Sequence, residues 1–201
     1  MNKYVLVDSK GWFEPIYLGT LSENKKFYII NKKEDLNYEK LNDLSPKYVF
    51  FLHWNWKVDS KIHENFKCIL FHTAPLPFGR GGSPIQNLIL LGFKSSPVCA
   101  IKMIEEIDAG PIYLKEEVSL EGNLDEIFKR ISKVISKMIN KICSCKELNP
   151  TFQEDKNSVN FKRLTKDDNR LDFSSSLEHL YNQIRMVDGF DYPRAYIEKE
   201  K

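Results

Sequence analysis

Four short apolar runs constrain the fold of this chain more than any other feature. Tyr4-Val5-Leu6-Val7, Phe27-Tyr28-Ile29-Ile30, Tyr48-Val49-Phe50-Phe51-Leu52 and Ile69-Leu70-Phe71 place apolar side chains at consecutive positions. A half-exposed strand would alternate apolar and polar residues. An unbroken run suits a strand covered on both faces, as in a parallel sheet with helices on either side. The chain therefore reads as α/β, and 201 residues, 42% of them hydrophobic, suffice for one sizeable core. After the first run, Asp8-Ser9-Lys10-Gly11-Trp12 holds a single glycine rather than the G-x-G-x-x-G of a dinucleotide-binding turn, which argues against a nicotinamide cofactor.

The densest chemistry lies in residues 68–113. The run Ile69-Leu70-Phe71 delivers His72 to a strand end, where residues 73–82 form a loop with two prolines and three glycines. Ser83-Pro84 then opens a helical pattern with Ile85, Leu88, Ile89 and Leu91, so Ser83 reads as its N-cap and Pro84 as its first residue. Strand, glycine-rich loop and helix start build a ligand crevice at the carboxyl ends of an open α/β sheet; the loop offers N–H groups and Arg80 adds a fixed charge. A second strand around Val98, Cys99, Ala100 and Ile101 leads to Ile107-Asp108-Ala109-Gly110-Pro111. Asp108, set among small and chain-bending residues, is the natural partner for His72.

Other stretches carry less chemistry. His53-Trp54-Asn55-Trp56 reads either as a strand end with tryptophans packed on the sheet or as a loop lining a flat ring. Asn123, with Glu126 three residues on, opens a long helix whose stripe from Leu124 to Ile142 is core. Residues 154–160 read as a loop, and Leu177, Leu180, Ile184 and Val187 mark a last helix.

His72, Leu76-Pro77, Arg80-Gly81, Pro84-Ile85-Gln86 and Asp108-Ala109-Gly110-Pro111 together resemble the catalytic core of the folate-dependent formyltransferases. That family includes the methionyl-tRNA, glycinamide ribonucleotide and nucleotide-sugar formyltransferases. Its pattern runs Asn-x-His, Leu-Pro, Arg-Gly, Pro-Ile-Gln and Asp-x-Gly-Pro. Leu70 stands here where the pattern has asparagine.

The resemblance implies a Rossmann-like, mainly parallel sheet flanked by helices, with a catalytic domain over residues 1–150 and an extension over 151–201 packing near the acceptor side. It implies transfer of a formyl group from N10-formyltetrahydrofolate to an amine. His72 would stabilise charge on the formyl oxygen and shuttle a proton, and Asp108 would hold its tautomer or accept the amine proton. Asn55, or backbone N–H groups of residues 79–82, would stand in for the amide absent at Leu70. Trp54, Asn55, Trp56 and Asp108 would contact the folate; Phe78, Gly79, Arg80, Gly81, Gly82, Lys162 and Arg163 would contact the acceptor. The element from Phe78 to Asn87 looks most like enzymes that formylate a nucleotide-linked amino-dideoxysugar for surface-polysaccharide synthesis. A formyltetrahydrofolate hydrolase, a methionyl-tRNA formyltransferase-like enzyme and a catalytically weak folate- or nucleotide-binding protein are the alternatives.

Bulk properties narrow the partners. Thirty basic against 28 acidic side chains give a net charge of +2, without the concentrated basic patch that phosphate neutralisation demands. The chain also ends at Lys201, leaving no room for the RNA-binding domain of methionyl-tRNA formyltransferases. The expectation is of small-molecule partners, with neither nucleic acid nor membrane, and of the homodimer that the sugar enzymes imply. With no leader and no run of 18 apolar residues, the protein reads as cytoplasmic. Four cysteines at these spacings make neither a disulfide framework nor a zinc site, so no metal is expected.

Overall fold

A computed structural model describes residues 2–11, 21, 25–154, 156–189 and 192–198; Trp12 lies outside them. Each apolar run is a strand: β1 (Lys3–Asp8), β2 (Lys26–Ile30), β3 (Tyr48–His53) and β4 (Cys68–Thr73). They pair in parallel in the order β2-β1-β3-β4. A short strand, β5 (Phe78–Gly81), leaves this sheet, and β6 (Ser95–Lys102) and β7 (Ile112–Ser119) then extend it antiparallel beyond β4.

The helices are α1 (Tyr38–Leu44), α2 (Ser60–Asn65), α3 (Pro84–Leu90), α4 (Leu124–Ser144) and α5 (Leu177–Arg185). Along β1, Tyr4 and Leu6 join a core with Ile131, Ile135 and Met138 of α4. Val5 and Val7 point the other way, into a core with Leu41 of α1 and Ile62 of α2. Both faces are therefore dry, which is the physical reason these strands lack alternation. The start of α4 is a full capping box: Asn123 Oδ1 accepts from the Glu126 N–H and the Glu126 carboxylate accepts from the Asn123 N–H, each at 3.0 Å.

Three features differ from the sequence expectations. The loop over residues 73–82 contains β5, which pairs in parallel with β8 (Val159–Phe161), so the segment read as a loop over 154–160 ends in a strand. Glycine makes that pairing possible: a Cβ on Gly81 would lie 2.6 Å from the Phe161 carbonyl oxygen. Ser83 does precede α3, but at φ +48° its side chain does not cap the helix. Its hydroxyl instead accepts from the Leu164 N–H at 3.1 Å, and the Asn87 amide donates to the Lys162 carbonyl at 3.0 Å. Finally, Leu177 and Ile184 of α5 face outward, while Asn182, Gln183 and Arg185 face inward. Arg185 donates to the carbonyls of Leu120 and Gly122 in the turn before α4, which draws that face of the helix inward. No described helix is long and apolar enough to cross a membrane.

Asn123→Ala removes the acceptor of the Glu126 N–H and is expected to lower stability by about 1 kcal/mol. Urea unfolding checks this as a lower midpoint with an unchanged slope.

Candidate active site

His72 is carried on β4 and is only 7% exposed. One edge of its ring is fixed: Nε2 lies 2.7 Å from the Gly79 carbonyl oxygen. A carbonyl can only accept, so Nε2 carries a proton and donates it. At the other edge Nδ1 lies 3.4 Å from Asp108 Oδ2. The same carboxylate oxygen accepts from the Gly81 N–H at 2.9 Å. One strand, β5, thus grips both members of the pair, the ring through Gly79 and the carboxylate through Gly81. Nδ1 is the edge not tied to a backbone carbonyl, and it faces the carboxylate.

Asp108 sits at φ +53°, in the left-handed region that non-glycine residues seldom occupy. Its turn is held from outside. The Gln153 amide donates to the carbonyls of Asp108 and Gly110, both at 2.8 Å, and its oxygen accepts from Arg80 Nε at 3.1 Å and Nη2 at 3.0 Å. At Gly110 an added Cβ would lie 1.7 Å from the Lys102 carbonyl oxygen, so only glycine fits against β6. Arg80, expected to aim a charge at the acceptor, is buried and engaged with Gln153 and, at 3.3 Å, Glu106. Its guanidinium braces the protein instead.

The other predicted site residues are placed as follows. The N–H groups of Gly81 and Gly82 are spent on Asp108 and on the Phe161 carbonyl, so neither is left to meet a formyl oxygen. Phe78 stacks on Phe93 and meets Phe161 edge-on, with centroids 5.9 and 5.3 Å away. Leu70 packs into the apolar clusters on its face of the sheet. Just past β3, the rings of Trp54 and Trp56 meet edge-to-face at 4.7 Å. Asn55 between them is exposed, and no hydrogen bond among the described residues joins it to His72 or Asp108. Lys162 pairs with Asp168 at 2.9 Å; the Thr165 N–H and then Lys162 hold that carboxyl below its usual range. Arg163 is exposed, its backbone against Gly82.

Gln153 escaped the sequence reading of this site, whereas His53 reads in the sequence as a candidate supporting residue behind it. Gln153 sits in a polar stretch with no periodicity to single it out. His53 ends β3, its carbonyl accepting from the Ser9 N–H at 2.8 Å. Burial, followed by the charges of Lys10 and Arg163, pushes its imidazole down to about 4. A cavity of about 660 Å³ also opens between β7, residues 75–78 and residues 151–154 and 156–157, touching Phe78 and Gln153.

A family model described as "Methionyl-tRNA formyltransferase, C-terminal domain" matches residues 166–201. The solved structure of methionyl-tRNA formyltransferase from Clostridium thermocellum is 37% identical with a TM-score of 0.93, covering 99% of this chain and 88% of that one. The chain belongs to the folate-dependent formyltransferases. The methionyl-tRNA formyltransferase of Malacoplasma penetrans is 28% identical over 183 residues, which is 88% of this formyltransferase chain and 57% of that relative. The chain thus spans little more than half the length of such relatives. A 4-N formyltransferase from Francisella tularensis shares the fold, with a TM-score of 0.72 at 17% identity, covering 99% of this chain and 93% of that one.

The depressed His53 makes a pH prediction. Its unfolded imidazole titrates near 6.5 and its folded one near 4, so between these values the unfolded chain binds the extra proton and stability falls as pH falls. His53→Gln is expected to remove on the order of 3 kcal/mol of acid sensitivity across that window, read from urea midpoints at pH 7 and pH 4.

Proposed function

We propose that this chain transfers the formyl group of N10-formyltetrahydrofolate to the amino group of methionyl-tRNA. The observation that carries the reaction class is the His72–Asp108 pair, its imidazole buried and its two ends gripped by Gly79 and Gly81. Formyl transfer asks three things of a protein: to take a proton from the attacking amine, to stabilise charge growing on the formyl oxygen, and to return a proton to the leaving nitrogen. The Nδ1–Asp108 edge suits the first and the third, because Nδ1 faces a carboxylate rather than a backbone carbonyl and so can take up a proton and return it. Leu70 offers no donor and the Nε2–H is engaged by Gly79, so charge on the formyl oxygen would fall to the Nδ1 edge once it has taken the amine proton.

N10-formyltetrahydrofolate supplies an activated formyl group on a nitrogen that can leave. The strand end at β3 fits its flat ring system: Trp56 is 40% exposed, and the Trp54 Nε1–H is buried with no acceptor among the described residues. Trp54 and Trp56 would hold the ring, and Asp108 would face the formyl-bearing nitrogen.

The names of the relatives favour methionyl-tRNA as acceptor over the nucleotide-linked amino sugar that the Phe78 to Asn87 element resembles, because likeness to the sugar enzyme rests on fold alone. The exclusion of nucleic acid is not retained, since residues 166–201 match a methionyl-tRNA formyltransferase domain. Arg163 and Lys166, both exposed beyond β8, add positive charge for a phosphate backbone.

Incubation with formyltetrahydrofolate and methionyl-tRNA is expected to add one formyl group to the methionine. His72→Ala and Asp108→Asn are expected to lower that rate by about 10²- to 10⁴-fold. Transfer to nucleotide-linked amino sugars alone would restore the sugar reading, and donor breakdown without any amine would make the protein a hydrolase. Undiminished turnover in both variants would remove the pair from the chemistry.

A further inference from the structure

We infer that Gln153 is a positioning residue whose side-chain amide fixes the Asp108 turn, and through it the carboxylate that faces His72. The inference rests on the role proposed above for that pair. The surroundings of Gln153 leave one orientation for its amide. Arg80 only donates, so it meets Oε1; the carbonyls of Asp108 and Gly110 only accept, so they meet Nε2. All four hydrogen-bonding valences of the amide are thereby used.

The result is a closed ring of contacts. From β5, Gly81 reaches Asp108 directly through its N–H, while the neighbouring Arg80 reaches the same turn through Gln153. Arg80 is in turn only 5% exposed, with a third contact to Glu106, so it has little freedom to move. A left-handed non-glycine residue persists only where its surroundings hold it, and here the two bonds from Gln153 flank Asp108 on its own carbonyl and on that of Gly110. Catalytic geometry is sensitive to such support: a displacement of about 1 Å caused by a distant substitution can cost on the order of 100-fold in rate.

Gln153→Glu separates this role from simple packing. It keeps the size and the Arg80 contact but turns a carboxylate oxygen toward two carbonyl oxygens, driving the turn away. Turnover is expected to fall about 10- to 100-fold, with cooperative unfolding retained and the Gly81 amide resonance displaced as its bond to Asp108 changes. Because the effect runs through Asp108, the double variant with Asp108→Asn is expected to be no slower than Asp108→Asn alone. Wild-type turnover in Gln153→Glu, or a loss that multiplies with that of Asp108→Asn, overturns the inference. Wild-type turnover in Asp108→Asn overturns instead the proposed role of the pair, and the Gly81 resonance then decides for Gln153: unmoved in Gln153→Glu, it overturns the inference, and displaced, it upholds the clamp. Should Gln153→Glu not fold, Gln153→Met removes the same donors without adding charge and makes the same test.

Discussion

The site depends on one hydrogen bond, from the His72 ring to the Gly79 carbonyl. A buried imidazole with both edges free could adopt either tautomer, and its chemistry would be undefined. Here the carbonyl claims a proton on Nε2, which leaves Nδ1 as the edge that faces Asp108. Everything that sets the position of Gly79 therefore sets what His72 can do. Gly79 itself needs to be glycine, since at φ +87° an added Cβ would lie 2.7 Å from the Phe161 ring and 2.9 Å from Ala74.

That dependence explains why so much of the chain converges on four residues of β5. β8 pairs with it, Phe161 packs against Phe78, Ser83 and Asn87 tie the following segment to the start of α3, and Arg80 binds Gln153. The main sheet supplies the rigid base: β4 carries His72 between β3 and β6, with apolar cores on both faces. The segment after α4 closes the site from the other side. Its contribution to the pair is made through backbone pairing and one amide rather than through charge, since Lys162 is occupied by Asp168.

Much of this was legible in the sequence because it followed from periodicity. The unbroken runs at Tyr4, Tyr48 and Ile69 announced strands buried on both faces, and Asn123 with Glu126 announced the start of α4. His72 and Asp108 were recognisable because each sits at a junction where the chain must turn. What stayed hidden depends on contacts between distant segments. Three residues of β8 carry no periodic signal. Arg80 looked like an open charge because nothing near it in sequence revealed Gln153 or its own burial. Ser83 has the composition of a cap, yet its hydroxyl serves Leu164, a tertiary partner 81 residues away. The outward Leu177 and Ile184 followed a helical spacing that the inward hydrogen bonds of Arg185 overrode.

The most direct test of the account is the protonation pattern of the His72 ring, read by nitrogen-15 nuclear magnetic resonance on the histidine-labelled protein. The account predicts a proton on Nε2, protected from exchange by its bond to Gly79, with Nδ1 as the nitrogen whose signal responds to Asp108→Asn. A ring whose proton sits on Nδ1 with Nε2 bare would contradict it. The Gly79 carbonyl would then not be what orients the ring.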